Sequence, residues 1–493
     1  MKSKIDSSAS CRVAVVGAGV SGLQCSRDLL SRLSSLRDET APSLKTSFHV
    51  SLFEWGRGPG GRTARRRVKV EGEEGAVGEL SFDHAAPFFQ TETGTGSIRP
   101  LSMPCPSPQS IESAQPGTDE EQARQLLREW ESSGWVEKWK PVELEAEWEE
   151  GGEGHGNRNV GKDLAGQQSS VSTETDYWVG VPSMNSICKG LAAEVQKAAE
   201  VEEYFGCHVL SVEGEESVQK WKVTWRERGA KEGEEKFEFF DAAVLSDKLL
   251  IQDNKYGVLP KSYEGPLSAA RELKSTTVSV LLTAFPCGSL PAFGILRPRG
   301  HPVIEKVVCD TEKPHRAKKG GPVCLVVHST EAFAKRHLEG DWFRDEETAR
   351  EEMERGLREV LKKFFPPEGV VSSPVVPVER ESDADPKAER GEGSSDTDGT
   401  FPLPLVSIAH MWDCAQVARP ETGTTMQSSG KGYLLDSAQG NTGGTIFLGA
   451  CGDFCASSSW RGEVLGAALS GRKLAAALFD RFRKAHTACL TQT

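Results

Sequence analysis

Near the N-terminus Val13, Ala14, Val15 and Val16 form an unbroken apolar run that stops at Gly17, and Leu23, Leu29, Leu30 and Leu33 follow at near-helical spacing. A short continuous run is the pattern of a strand buried on both faces, and the spacing after it that of an amphipathic helix. The opening segment therefore reads strand, glycine turn, helix. FHVSLFE alternates and ends in Glu54; RVKVEG and ELSFDHAAPFF also read as strands, and EEQARQLLREWESSGWVEKW as a helix. YWVGVPSM is a strand with a turn at Pro182. The helix after it has an apolar stripe at Met184, Ile187, Leu191 and Val195, with Ser183 placed to cap it. GCHVLSVE, KWKVTWRE and KFEFFDAAVLSD follow as strands. In KWKVTW the side chains Trp221, Val223 and Trp225 share one face, whereas DAAVLS is apolar throughout, as a buried parallel strand is. TTVSVLLTAF and GPVCLVVHS are further strands, EETAREEMERGLREVLKKFF is a helix, and a strand, a Gly/Ser-rich turn and a long helix close the chain.

Runs that read as buried parallel strands thus lie at both ends and at 241–246, with alternating, half-exposed strands between. That distribution predicts one α/β domain assembled from discontinuous pieces, with an α+β domain inserted. The expected pieces are 11–90, 236–260 and 440–485 for the first domain, and 122–235 and 261–439 for the second. Segments 91–121, 147–175 and 378–400, rich in Ser, Gly, Pro and acids, read as disordered insertions.

Composition narrows the function. The 493 residues carry a formal net charge of −13, with much of the acid in ELEAEWEEGGEG (143–154) and ESDADPKAERGEGSSDTDG (381–399), which read as solvated stretches. No basic stripe interleaved with aromatics suggests a nucleic-acid partner. The 12 cysteines include no CxxC pair, against a zinc ribbon or a dithiol motif. No apolar run of about 18 residues predicts a membrane span, and MKSKIDSSAS lacks an apolar leader, so a cytoplasmic protein is expected.

GAGVSG, residues 17–22, is a GxGxxG between a buried strand and a helix, the context a dinucleotide fingerprint needs. Gly17 permits the turn, Gly19 lets the backbone approach a pyrophosphate, and Gly22 allows close helix packing; Ala18 and Ser21 complete the turn. The helix N-terminus offers N–H groups and a positive dipole end to phosphates. Glu54, at the end of the second strand, fits the ribose-binding acid, although the connection before it is longer than usual. A carboxylate there repels a 2′-phosphate, which favours FAD or NAD over NADP. RGPGGRTARRR follows directly, so Gly60 and Gly61 can close on the dinucleotide and Arg62 can grip its pyrophosphate. Arg57 is a second candidate, and at least one of Arg65, Arg66 and Arg67 reads as solvated.

GAGVSG, Glu54 and GRGPGGR together resemble the FAD-binding signature of the amine-oxidase-like flavoproteins. SFDHAAPFF and LGACGDFCASSSWRGEVLGAALSG are similar to segments of the renalase-like branch, although Ala85 and Pro87 depart from its usual Gly and Gln. The resemblance implies a Rossmann-like FAD-binding domain with an inserted substrate domain. It implies Asp453 as a ligand of the ribityl–pyrophosphate part, Glu463, Val464 and Leu465 as the start of a helix aimed at the flavin, and Val209 beside the adenine through its backbone. The activity implied is oxidation of a small-molecule substrate, a reduced nicotinamide dinucleotide or an amine, by hydride transfer to flavin N5, with reoxidation by O₂. The alternative is a flavin- or dinucleotide-binding sensor or scaffold without turnover.

No catalytic side chain is assigned. His84 reads as a packed, hydrogen-bonded histidine or as a proton shuttle; Cys451 and Cys455 as inert buried thiols or as a redox pair; Trp412 and Trp460 as core or as pocket walls. His328 and His337 lack partners at metal-ligand spacing.

Overall fold

The computed structural model describes residues 10–39, 47–71, 77–93, 118–148, 174–198, 200–252, 256–273, 275–317, 320–339, 342–343, 345–366, 402–417, 431–439, 445–456 and 464–491. Most of the three expected insertions, together with Trp460 and Glu463, lies outside the described residues.

Ser10–Val16 sits inside a six-stranded sheet in the order Leu434–Gln439, Thr445–Ala450, Ala242–Leu245, Ser10–Val16, Ser47–Glu54, Val201–Phe205. Every neighbouring pair is parallel except the first, which is antiparallel. The unbroken apolar runs are explained by cover on both faces. Val13, Val15, Ala242 and Val244 point into a core shared with the first helix (Val20–Glu39), the helix Asn185–Val195 and the closing helix (Val464–Thr491). Ala14, Val16, Ala243 and Leu245 point the other way, against Val223, Trp225 and Phe240 of a three-stranded antiparallel sheet. Period two therefore splits one hydrophobic strand between two cores.

The second six-stranded sheet has the order Val406–Val417, Ser275–Phe285, Val323–Ser329, Ile304–Cys309, Ile295–Arg299, Glu143–Glu147. Leu281, Val307 and Val327 pack under the helix Glu346–Phe364 through Met353, Leu357 and Val360. Val280, Leu282 and Val326 belong instead to the core that reaches the first sheet, so the two sheets share one apolar interior. At this junction lie four buried charges. Asp83 accepts hydrogen bonds from Met184 N, from Lys313 Nζ at 3.3 Å and from Arg316, while Asp310 accepts from Lys313 and, at 2.6 Å, from Arg316. Two acids and two bases leave the cluster neutral, which is how it tolerates burial.

Several expectations change. Val201–Phe205 and Leu434–Gln439, assigned to the inserted domain, complete the first sheet. KFEFFDAAVLSD is two strands: Lys236–Phe240 joins the antiparallel sheet, and the chain changes sheets at Asp241. ELEAE is an edge strand, because Glu143 and Glu145 pair with Arg297 and Arg299 of the strand beside it. The segment read as one helix from 120 to 139 ends at Ser132, and Val136–Trp139 is a strand. Ser183 does not cap its helix through its side chain; Met184 occupies the N-cap position, and the buried Ser183 accepts from Ser186 N through its carbonyl.

Candidate functional site

Four parallel strands end at the same edge of the first sheet, followed by Gly17, Asp247 and Asp453 and, at the last position of the second strand, Glu54. Asp247 and Asp453 line the cleft at this edge, whereas Gly17 and Glu54 are not among its lining residues. Ligands of open α/β sheets bind outside the carboxyl ends of the strands.

The glycine turn is held by its neighbours. Gly17 N donates to Phe53 O at 2.7 Å. Ser246 Oγ donates to the carbonyls of Val16 and Gly17 (2.8 and 3.0 Å), and Ser21 Oγ donates to Ser246 O at 3.0 Å. A Cβ on Gly22 would lie 2.0 Å from Gly17 O, so the helix can approach the turn this closely only with glycine. At Gly19 the space where a Cβ would point holds no atom within 4 Å. The first helical turn carries no acid, which leaves its positive dipole end uncompensated from within the helix.

Glu54 leans back over this turn. Its Oε2 accepts from Ala18 N at 2.8 Å and its Oε1 from Gly56 N at 2.6 Å. Burial pushes its carboxyl up and the two N–H donors oppose that. An ionised carboxylate has about four acceptor positions, so two remain for hydroxyls.

The arginine-rich loop crosses the same turn. Gly60 N donates to Ala18 O at 3.0 Å, and a Cβ on Gly61 would lie 3.3 Å from Gly19 Cα. Arg62 then reaches Asp453 with two prongs, Nη1 to Oδ2 at 2.7 Å and Nη2 to Oδ1. Gly19, Ser21, Gly61, Arg62, Asp453 and Val464 all line one cleft. Arg57 stays exposed outside it. Arg65 bonds Ser81, Arg67 lies 3.6 Å from Glu79, and Arg66 is exposed. Val209 also lies outside the cleft, its side chain buried beside Phe53 and Trp225.

Sequence reasoning missed Ser246 and Asp247, which line the cleft. Burial pushes the Asp247 carboxyl up, against the nearby Arg62 guanidinium and the Leu249 N–H that hold it down. A polar pair directly after the run DAAVL was the available signal, the same strand-end position that singled out Glu54.

A second pocket lies beyond Lys306 and Ala85, which line both spaces. Trp412, His328, Glu305 and Glu331 form part of its wall. His84 is a packed residue: its Nδ1 hydrogen-bonds Ala64 O at 3.0 Å, and its ring lies 4.9 Å from Trp412 and 5.6 Å from His410. His328 Nε2 meets His84 O at 3.0 Å. Burial, reinforced by the neighbouring His410, lowers His84 to about 4; burial also lowers His328 and His410. All three are therefore neutral at pH 7.

Cys451 hydrogen-bonds Cys25 of the first helix, and Cys455 Sγ donates to Ala450 O at 3.6 Å. His337 lies 3.6 Å from Glu352. Among the described residues no cluster of His, Cys, Asp and Glu could hold a metal ion, and no helix is long and apolar enough to cross a membrane.

No protein-family model and no curated protein matches the chain. Similar solved structures include cyclohexylamine oxidase from Brevibacterium oxydans, 14% identical with a TM-score of 0.47 over 96% of this chain and 99% of that one. Putrescine oxidase bound to putrescine is 14% identical with a TM-score of 0.46 over 96% and 99%. An oxidoreductase from Methanosarcina mazei is 14% identical with a TM-score of 0.45 over 94% and 99%.

Proposed function

We propose that the protein is an FAD-dependent oxidoreductase that oxidises a small molecule. The observation that carries this reading is the convergence of the glycine turn, Glu54, Arg62 and Asp453 at the carboxyl ends of parallel strands. The residues fit the cofactor: Gly19 opens a face that a Cβ would fill, the helix end and Arg62 suit a pyrophosphate, and Glu54 retains acceptor capacity for a ribose. Asp453 and the start of the closing helix at Val464 take the flavin end. Segments carrying the first sheet make up the cofactor-binding part, and the second sheet supplies the wall facing the donor.

When bound, FAD would supply a hydride acceptor for a C–H donor, with O₂ as the proposed terminal oxidant. The chain's own groups bind, orient and exclude water. Lys306 faces both spaces, so its ammonium marks the passage between cofactor cleft and donor cavity. His84, His410 and Trp412 form a neutral, largely aromatic cluster beside that cavity, which favours a packing role for His84 over a proton shuttle. Reduced nicotinamide dinucleotides and amines are the donor classes to test first.

The test is an absorption spectrum of the purified protein followed by anaerobic mixing with both donor classes. A flavin spectrum that bleaches and returns in air supports an oxidase. A flavin that no donor bleaches favours binding without turnover, and a protein that neither carries nor takes up flavin rejects the reading.

A further inference from the structure

Among the described tryptophan side chains, Trp55 alone is exposed, 46% of it reaching solvent, and it directly follows Glu54. Its position is fixed by backbone. Gly206 N donates to Gly56 O at 2.8 Å, tying the loop after Glu54 to the start of the strand Cys207–Glu215. That tie brings His208 against the indole, with ring centroids 4.3 Å apart and planes 23° from parallel. Tyr256 closes a third side at 5.4 Å, tilted 53°. An indole backed by a parallel imidazole and open to solvent is a flat, preorganised surface.

We infer that Trp55, backed by His208, is the stacking platform for the adenine ring of the bound dinucleotide. This rests on the dinucleotide reading above. The ribose held by Glu54 fixes where its base emerges, and the next side chain along the loop is this indole. Adenine stacks on aromatic faces without needing a specific hydrogen-bond pattern, so one exposed ring suffices. Burial and the nearby Arg226 push His208 down, so the platform is uncharged at pH 7. The assignment places side-chain recognition of adenine on Trp55 and His208, the neighbour of Val209, beside the backbone contact expected of Val209, whose side chain is in the core.

The experiment titrates flavin-stripped wild type, Trp55→Ala and Trp55→Phe with FAD, ADP and FMN, following binding by calorimetry. Loss of a base–aromatic stack predicts roughly 5- to 150-fold weaker FAD and ADP binding for Trp55→Ala. FMN binding, which lacks the adenine, is unchanged, and Trp55→Phe retains most of the affinity. Wild-type FAD binding with an unaltered Trp55→Ala overturns the platform and leaves the dinucleotide reading standing. Equal losses for FAD and FMN also overturn it, since the damage is then not at the base. A wild type that binds neither FAD nor ADP overturns both.

Discussion

Arg62 grips both carboxylate oxygens of Asp453, 391 positions further along the chain, and Asp247 lies near enough to feel both charges. One guanidinium thus stands between two buried acids at the point proposed to receive the pyrophosphate.

Arg62→Ala leaves those acids without their counter-charge. Removing one partner of a buried pair costs about 3–5 kcal/mol, so the apo-protein should melt at a clearly lower temperature. Asp453→Asn keeps a neutral acceptor beside Arg62 and should cost less stability. Both variants should purify with substoichiometric flavin, read from the absorbance ratio at 450 and 280 nm. Full flavin content in both would place the cofactor elsewhere.

Two glycines of one motif should fail in different ways. Gly19→Ala points its methyl into open space, so the fold survives with an unchanged melting temperature while FAD binding falls at least tenfold. Gly22→Ala drives a methyl into Gly17 O and should destabilise the protein by about 1–3 kcal/mol, the range of overpacking, before any cofactor is added. Thermal melts of the apo-proteins separate the two.

Lys313→Met removes one base from the neutral cluster with Asp83, Asp310 and Arg316, leaving an acid in excess at a site where the Lys313 and Asp83 side chains are 0% exposed. A loss of about 3–5 kcal/mol is expected. Adding Asp83→Asn, whose amide oxygen can still accept from Met184 N, should recover part of it. Urea denaturation of the single and double variants measures both effects.

The part of the stability that depends on neutral buried histidines should fall on mild acidification. His84 titrates near 4 when folded, below the ordinary value near 6.5 of an unfolded chain. Its contribution is complete above pH 6.5 and is lost as pH falls toward 4, because only the unfolded chain takes up the proton in that window. His328 acts in the same direction. Denaturation midpoints at pH 7.5 and 5.5 should differ, and His84→Asn should shrink the difference.

The glycine turn is legible because it breaks an apolar run between strand and helix, Glu54 because it ends the second strand, and Arg62 because its Gly-rich loop directly follows that acid; Asp453 is reached only through the family resemblance of the closing segment. Strand partners were harder. Val201–Phe205 contains two glutamates and gives no strand signal of its own; it is an edge strand of the first sheet, so its solvated side carries no parallel-sheet signature. Glu143–Glu147 was obscured for a related reason, since its acids answer arginines about 150 residues away, a match that local pattern does not register. Trp55 was passed over beside the more conspicuous charge that follows it.

The first sheet draws its strands from residues 10–16, 47–54, 201–205, 242–245, 434–439 and 445–450. On the ribosome, the glycine turn and Arg62 emerge long before Asp453. At roughly 5–20 residues per second, the 391 residues between them take about 20–80 s to synthesise. For that time the nascent chain carries a hydrophobic strand with an unpartnered edge. In the proposed reading, flavin therefore gains its complete site only after the segment carrying Asp453 has been made, and a chain released before it should be handled by the cell as unfolded.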